Sequence, residues 1–170
     1  MGNKIELYYQ KIANIINDMV PEEWLEVKLY GENQDGGQTV FFYYRSTKTN
    51  EWVNYARIPE LFEGSVDQFK SMRRELSFGI ILDFKKAYQE EVGEPWISFQ
   101  MSLHSSGKFN IHFNREKNPL DPMLTQVAWA YEQLGIIPDD TSFEKTLLNE
   151  YLEEKAQGKR YPFLEPLKEE

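Results

Sequence analysis

Hydrophobic positions along the chain sort into four helical stripes, several alternating runs and one continuous apolar block. The block is residues 39–45, Thr-Val-Phe-Phe-Tyr-Tyr-Arg, whose inner five are all β-branched or aromatic. A strand apolar on both parities has both faces covered, so this run is expected at the centre of a sheet. Ahead of it, Ile5, Tyr8, Tyr9, Ile12, Ile15, Ile16 and Met19 recur at helical spacing and stop at Pro21. Leu25, Val27 and Leu29 then alternate with Glu26, Lys28 and Tyr30, which predicts a strand buried on one face. Asp35-Gly36-Gly37 turns that strand into the apolar block. Residues 52–58 predict a third strand, closed by Pro59, and three strands on short loops predict an antiparallel meander.

Ser65-Val-Asp-Gln68 resembles a capping box opening a long helix. Its stripe is Phe69, Met72, Leu76, Ile80, Phe84, Ala87, Tyr88 and Val92, and Gly93 ends it. Residues 78–82 are apolar nearly all round and are expected to be its most buried part. Strand four alternates Ile97, Phe99, Met101 and Leu103 with polar residues, and strand five alternates Phe109, Ile111 and Phe113. Same-face residues must pair, so odd positions oppose odd ones, which a three- or five-residue loop allows and a four-residue loop does not. Asp121-Pro122 marks the next helix start, with Leu124, Val127, Tyr131 and Leu134 as its stripe and Gly135 as its stop. Thr141-Ser-Phe-Glu144 reads as a second capping box before a helix carrying Leu147, Leu148, Tyr151 and Leu152. The expected architecture is α+β, a two-layer fold with a mainly antiparallel five-stranded sheet and about four helices. It occupies residues 1–158 as one domain, with a loosely attached tail over residues 159–170.

Composition narrows the function classes. Aromatic residues make up 15% of the 170 residues, which argues for an ordered core. The absence of cysteine removes disulfides, thiolate metal sites and cysteine nucleophiles, and suits a cytoplasmic protein. No apolar run reaches transmembrane length, and the first residues lack the apolar core of a signal peptide. Gly2 would suit acylation, but Glu6 stands where that motif needs Ser or Thr. The net charge is −9, which disfavours direct binding to nucleic acid and suits a basic partner. The acid is uneven: residues 21–64 carry a net −4, residues 121–170 a net −6 and residues 96–120 a net +2.

Candidate chemistry is sparse. His104 and His112 share the polar face of the last hairpin, where cross-strand pairing could bring them within about 5–8 Å. Their neighbours Gln100, Ser102, Asn110 and Asn114 offer no carboxylate as a third metal ligand, so no metal or cofactor is expected. Asp35-Gly36-Gly37 precedes a strand and lacks the lysine of a phosphate loop, so it reads as a hairpin turn. Glu90, Glu91 and Glu94 gather at a helix end and read as a solvated terminus. There is no nucleophile elbow and no zinc-protease motif, so the residues carry no enzyme signature. Most of Trp24, Trp52, Trp96, Trp129, Tyr30, Tyr43, Tyr44 and Tyr55 suit a core. Tyr30 and Trp52 lie on the opposite parity to their strands' clearest apolar residues and are candidates for an exposed aromatic patch, the alternative being that a helix covers them.

Several short pieces recur in a familiar order. They are Met19-Val-Pro21-Glu-Glu-Trp24, Asp35-Gly-Gly37 before Val40-Phe-Phe-Tyr43, and Ile58-Pro59 ahead of Ser65-Val66 and Phe69. Glu94-Pro95-Trp96, Gly107-Lys108-Phe109 and Leu134-Gly-Ile-Ile-Pro138 follow. In these the chain resembles the YezG-type antitoxin family of Gram-positive bacteria. It departs from that pattern at residues 113–118, where relatives carry an aromatic- and Asp-containing segment. The resemblance implies an immunity protein that binds a cognate basic nuclease toxin domain and performs no catalysis. Charge clustering then nominates Asp35, Glu51, Glu60, Glu63, Asp139, Asp140, Glu144 and Glu150 as steering groups, with Tyr30 and Trp52 as anchors. The competing reading is a small-molecule- or metal-binding domain, or an enzyme, using the face around His104 and His112. No feature of the pattern sets an oligomeric state.

Overall fold

A computed structural model of the chain describes residues 3–166; the acylation reading at Gly2 and the last four residues of the expected tail lie outside them. The chain forms two compact units, residues 1–115 and 116–170.

In the first unit, helix α1 (Asn3–Met19) leads into strand β1 (Trp24–Gln34), which turns at Asp35 and Gly36 into β2 (Gly37–Ser46). Both turn residues have positive φ, 50° and 78°, as a two-residue hairpin requires. Strand β3 (Trp52–Asn54) is only three residues long. The chain then tightens into a 3-10 turn at Tyr55–Arg57 and a short helix α2 (Ile58–Leu61), where a strand to Ile58 was expected. Asn54 explains the stop, because its side chain caps the turn by accepting from the Ala56 N–H. Strands β4 (Ser98–His104) and β5 (Phe109–Asn114) complete a five-stranded antiparallel sheet in the order β3-β2-β1-β4-β5.

The middle position therefore belongs to β1, and the aromatic block of β2 sits one place to its side. Tyr30, Phe41 and Tyr43 are buried on the face opposite Leu29, Phe42 and Tyr44, so a run apolar on both parities is satisfied without holding the centre. The β4–β5 loop obeys the parity argument. Leu103 faces Phe109 and Met101 faces Ile111, and a 2.8 Å bond from the His104 N–H to the Lys108 carbonyl leaves a three-residue loop.

The long helix is one rod with a wider turn in it. Helix α3 (Val66–Arg74) passes through a π-helical segment (Glu75–Ile80) into α4 (Ile81–Val92). The cause lies in the stripe. Leu76, near the start of the segment, and Ile81, just after it, are both buried, and a five-residue step between them fits a π turn and not an α turn. Burial at residues 78–82 is accordingly lower than expected: Phe78 is 63% exposed and Leu82 37%. Ser65 does not close a capping box. Its backbone is already helical, and its hydroxyl donates to the Phe62 carbonyl at 2.6 Å. Phe84 anchors the helix over the sheet, meeting Trp96, Phe99 and Phe113 at ring centroid distances of 5.4–5.9 Å.

In the second unit, α5 (Pro122–Leu134) starts as the sequence predicts, with the Asp121 carboxylate accepting from the Leu124 N–H at 2.8 Å. Gly135 ends it in the left-handed conformation. Helix α6 (Phe143–Ala156) is capped by Ser142, one residue later than the expected box: the Ser142 hydroxyl accepts from the Lys145 N–H at 3.2 Å and donates to the Asp139 carbonyl. Between residues 159 and 166 the chain packs back within this unit. Phe163 and Leu164 are buried, and the Gln133 side chain donates to the Leu164 carbonyl at 2.9 Å.

Candidate functional site

Pairing of the strands at the Trp24 end of the sheet assembles side chains far apart in sequence. Trp52 pairs with Arg45, Arg45 with Glu26, and Glu26 with His104, so one row crosses four strands on a single face. The Arg45 guanidinium carbon lies 6.0 Å from the centre of the Trp52 ring. Its Nη2 is 3.7 Å from the Glu26 carboxylate, whose other oxygen is 3.8 Å from His104 Nε2. Trp52, Arg45 and Glu26 are half-buried and His104 is exposed. Aromatic residues and arginine are the types enriched at protein-binding surfaces, and Trp52 and Arg45 lie together in this row.

Beside the row lies a groove of about 620 Å³, lined by Asn17, Val20, Pro21, Glu23, Trp24, Thr47 and Ser105 among others. Its floor is built by backbone bonds between neighbouring strand ends: the Ser105 N–H donates to the Leu25 carbonyl at 3.0 Å and the Thr47 N–H to the Glu23 carbonyl at 3.3 Å. Glu22 lines it too, and is held there by the Tyr44 hydroxyl at 2.7 Å and the Ser46 hydroxyl at 2.9 Å. Burial first, and then Glu22, push the Tyr44 hydroxyl well above the usual tyrosine pKa. The Pro21-Glu-Glu-Trp24 piece, a family mark in the sequence, thus forms a wall of this groove. Its signal was the coincidence of acid and tryptophan immediately after a helix-ending proline.

The structure disperses the residues that charge clustering had grouped. Asp35 and Glu51 sit at opposite ends of the β1–β2 ladder, about 30 Å apart along a ten-residue strand. Glu51 is exposed at the same end as the groove. Glu60 and Glu63 are exposed on and just after α2, and Glu60 lies 3.9 Å from Arg57. In the second unit, Asp139 accepts from the Thr141 N–H and hydroxyl, which hold its carboxyl below the usual range. Asp140 pairs with Lys145 at 3.4 Å, while Glu144 and Glu150 are exposed along α6.

Two expectations fail here. Tyr30 is 0% exposed, and its hydroxyl donates to the buried Glu32 carboxylate at 2.6 Å, so it is no surface anchor. His104 and His112 are not cross-strand partners: His112 faces Gln100, four residues from His104, a separation of about 13 Å along the strand. One imidazole has a carboxylate neighbour after all, Glu26, supplied by β1 and invisible from the hairpin alone. Among the described residues, no cluster of three His, Cys, Asp or Glu side chains is arranged to hold a metal ion. Among the described residues, no helix is long and apolar enough to cross a membrane.

Comparison with known proteins agrees with the sequence resemblance. The family model of immunity proteins described as YezG-like matches residues 5–148. The chain is 33% identical over 133 residues to the immunity protein YezG of Bacillus spizizenii, covering 76% of this chain and 82% of that one. It is 29% identical over 147 residues to the immunity protein YezG of Bacillus subtilis, covering 85% and 96%. It is also 28% identical over 144 residues to the type VII secretion system protein EsaG of Staphylococcus aureus, covering 83% and 87%. A family match spanning both units, on a five-stranded antiparallel α+β framework, leads to one conclusion: the chain belongs to the YezG-like immunity protein family.

Proposed function

We propose that this protein protects its cell by binding and neutralising a cognate nuclease toxin, without catalysis. The observation that carries the reading is family membership, since the relatives are named immunity proteins. The physical support is the charge. A nuclease site gathers phosphate with Lys and Arg, and an acidic body is drawn to such a surface by long-range attraction. Glu51, Glu60, Glu63, Asp139, Asp140, Glu144 and Glu150 supply that field, and Asp35 adds to it from the far end of the sheet. Rim charge mainly sets the association rate, so tight binding also needs desolvated anchors. Trp52, stacked near Arg45, and Trp24 in the groove wall are the anchors assigned here.

The test is co-expression with the C-terminal domain of the toxin encoded beside the gene. Survival and co-purification are expected for the native protein. Trp52→Ala is expected to weaken the complex by about 2 kcal/mol, the size of an interface hot spot. Reversal of Glu51, Glu60 and Glu63 to lysine is expected to slow association at low salt. Loss of neither affinity nor rate in both variants would remove the surface from the reading, and failure of the native protein to protect would remove the function.

A further inference from the structure

A second groove, of about 300 Å³, has the opposite character from the rest of this acidic chain. It is lined by Lys70, Arg73, Arg74, Ser77 and Phe78 from the long helix, facing Gln38 and Val40 of β2. Lys70 and Arg74 make no ion pair among the described residues, and Arg73 is held over the Tyr55 ring at 5.4 Å. Asp67 and Glu75 lie on the same helix, but neither lines the groove. Phe78 is 63% exposed beside these cations.

The backbone is specialised at the same place. The π segment at Glu75–Ile80 inserts the extra residue that leaves Phe78 facing solvent while Leu76 and Ile81 stay buried. The Gln38 side chain donates to the Ser77 carbonyl and ties the widened turn to β2. Such turns often accompany functional sites, because an inserted residue weakens the helix it interrupts.

We propose that this groove docks an acidic segment of a protein partner that carries an apolar side chain at its centre. Three cations within one and a half helical turns match two or three carboxylates, and Phe78 with Val40 receives the apolar group. A short cluster suits a peptide better than a nucleic acid, whose backbone needs a longer cationic track, and the net charge of −9 repels a long polyanion. None of the residues lining this groove belongs to the acidic set assigned to toxin binding.

The test is fluorescence anisotropy with a labelled peptide, Asp-Glu-Leu-Phe-Glu-Asp, titrated with the full chain at low salt. Micromolar binding is expected, absent for the peptide with Asn and Gln in place of its acids. The double substitution Lys70→Glu and Arg74→Glu is expected to weaken binding about tenfold or more, as is Phe78→Ala. All three side chains are exposed, so circular dichroism and thermal melting should be unchanged. The proposal falls if the acidic peptide does not bind or binds the double variant equally. It also falls if short single-stranded DNA or inorganic phosphate displaces the peptide more effectively than unlabelled peptide does. A concentration-dependent dimer lost in the double variant, with no peptide binding, would assign the groove to a second copy and overturn it.

Discussion

The Tyr44 hydroxyl donates a 2.7 Å hydrogen bond to the Glu22 carboxylate, joining β2 to the segment between α1 and β1. Tyr44 is completely buried, and Glu22 lines the groove beside the Trp52 row. One contact thus links the sheet core to the candidate docking surface. Tyr44→Phe keeps the ring and removes the donor. A bond to a charged acceptor contributes about 1.5–3 kcal/mol, and urea titration should show a loss in that range. Ser46→Ala, which removes the other donor to Glu22, should cost less, because an aliphatic hydroxyl is a weaker donor than a phenol and its bond is longer, 2.9 Å. Equal losses in the two variants would mean the tyrosine has no privileged role.

Alkaline pH should loosen the fold through its tyrosines. Burial pushes the hydroxyls of Tyr9, Tyr44, Tyr55 and Tyr151 above the usual value. Their stabilisation is complete below about pH 10, where the unfolded chain still holds its protons, and is lost as pH rises towards the folded values. Lys85, whose pKa burial lowers, acts with the opposite sign but is a single group. The urea midpoint should therefore fall above about pH 10, and less steeply in Tyr44→Phe. A midpoint that rises across that window would contradict the assignment.

Gly31 is needed for space. A Cβ built on it would lie 2.6 Å from Cε1 and 2.8 Å from Cζ of Phe99, a buried ring that also meets Trp96 and Phe84. Gly31→Ala should cost about 1–3 kcal/mol by overpacking. Adding Phe99→Leu should recover part of that loss in a double-mutant cycle, since the smaller side chain vacates the site. Strict additivity of the two changes would show that the ring is not what the methyl meets.

The π turn makes an unusual prediction about deletions. Removing Gly79 converts the five-residue step between Leu76 and Ile81 into an α-helical step of four, so both should stay buried. The variant should remain soluble, with a cooperative melt. Removing Lys86 from α4 instead breaks the phase between Phe84 and Tyr88, both buried, and should abolish the cooperative transition. Similar melts for the two deletions would show that the helix tolerates a phase error anywhere.

Short-range physics decides the helix ends and the hairpin loop, and these follow from the sequence. Asp121 caps α5, Gly93 and Gly135 stop their helices in the left-handed conformation, and odd-to-odd pairing sets the β4–β5 loop. Each depends on groups a few residues apart. The misplacements have the same root. Phe78 was expected inside because its segment is apolar all round, and Tyr30 outside because of its parity. The first outcome depends on a π turn and the second on burial of a whole sheet face. His104 was read against its own hairpin, whereas its carboxylate neighbour arrives from β1.

What the sequence determined alone is the five strands and the four main helices, the acidic balance and the family resemblance, because periodicity, capping and composition are local or additive properties. Only the tertiary structure decided which charges share a surface. Strand order and register are set by long-range pairing, and those bring Glu26 to His104 and Arg45 to Trp52 while carrying Asp35 to the far end of the ladder.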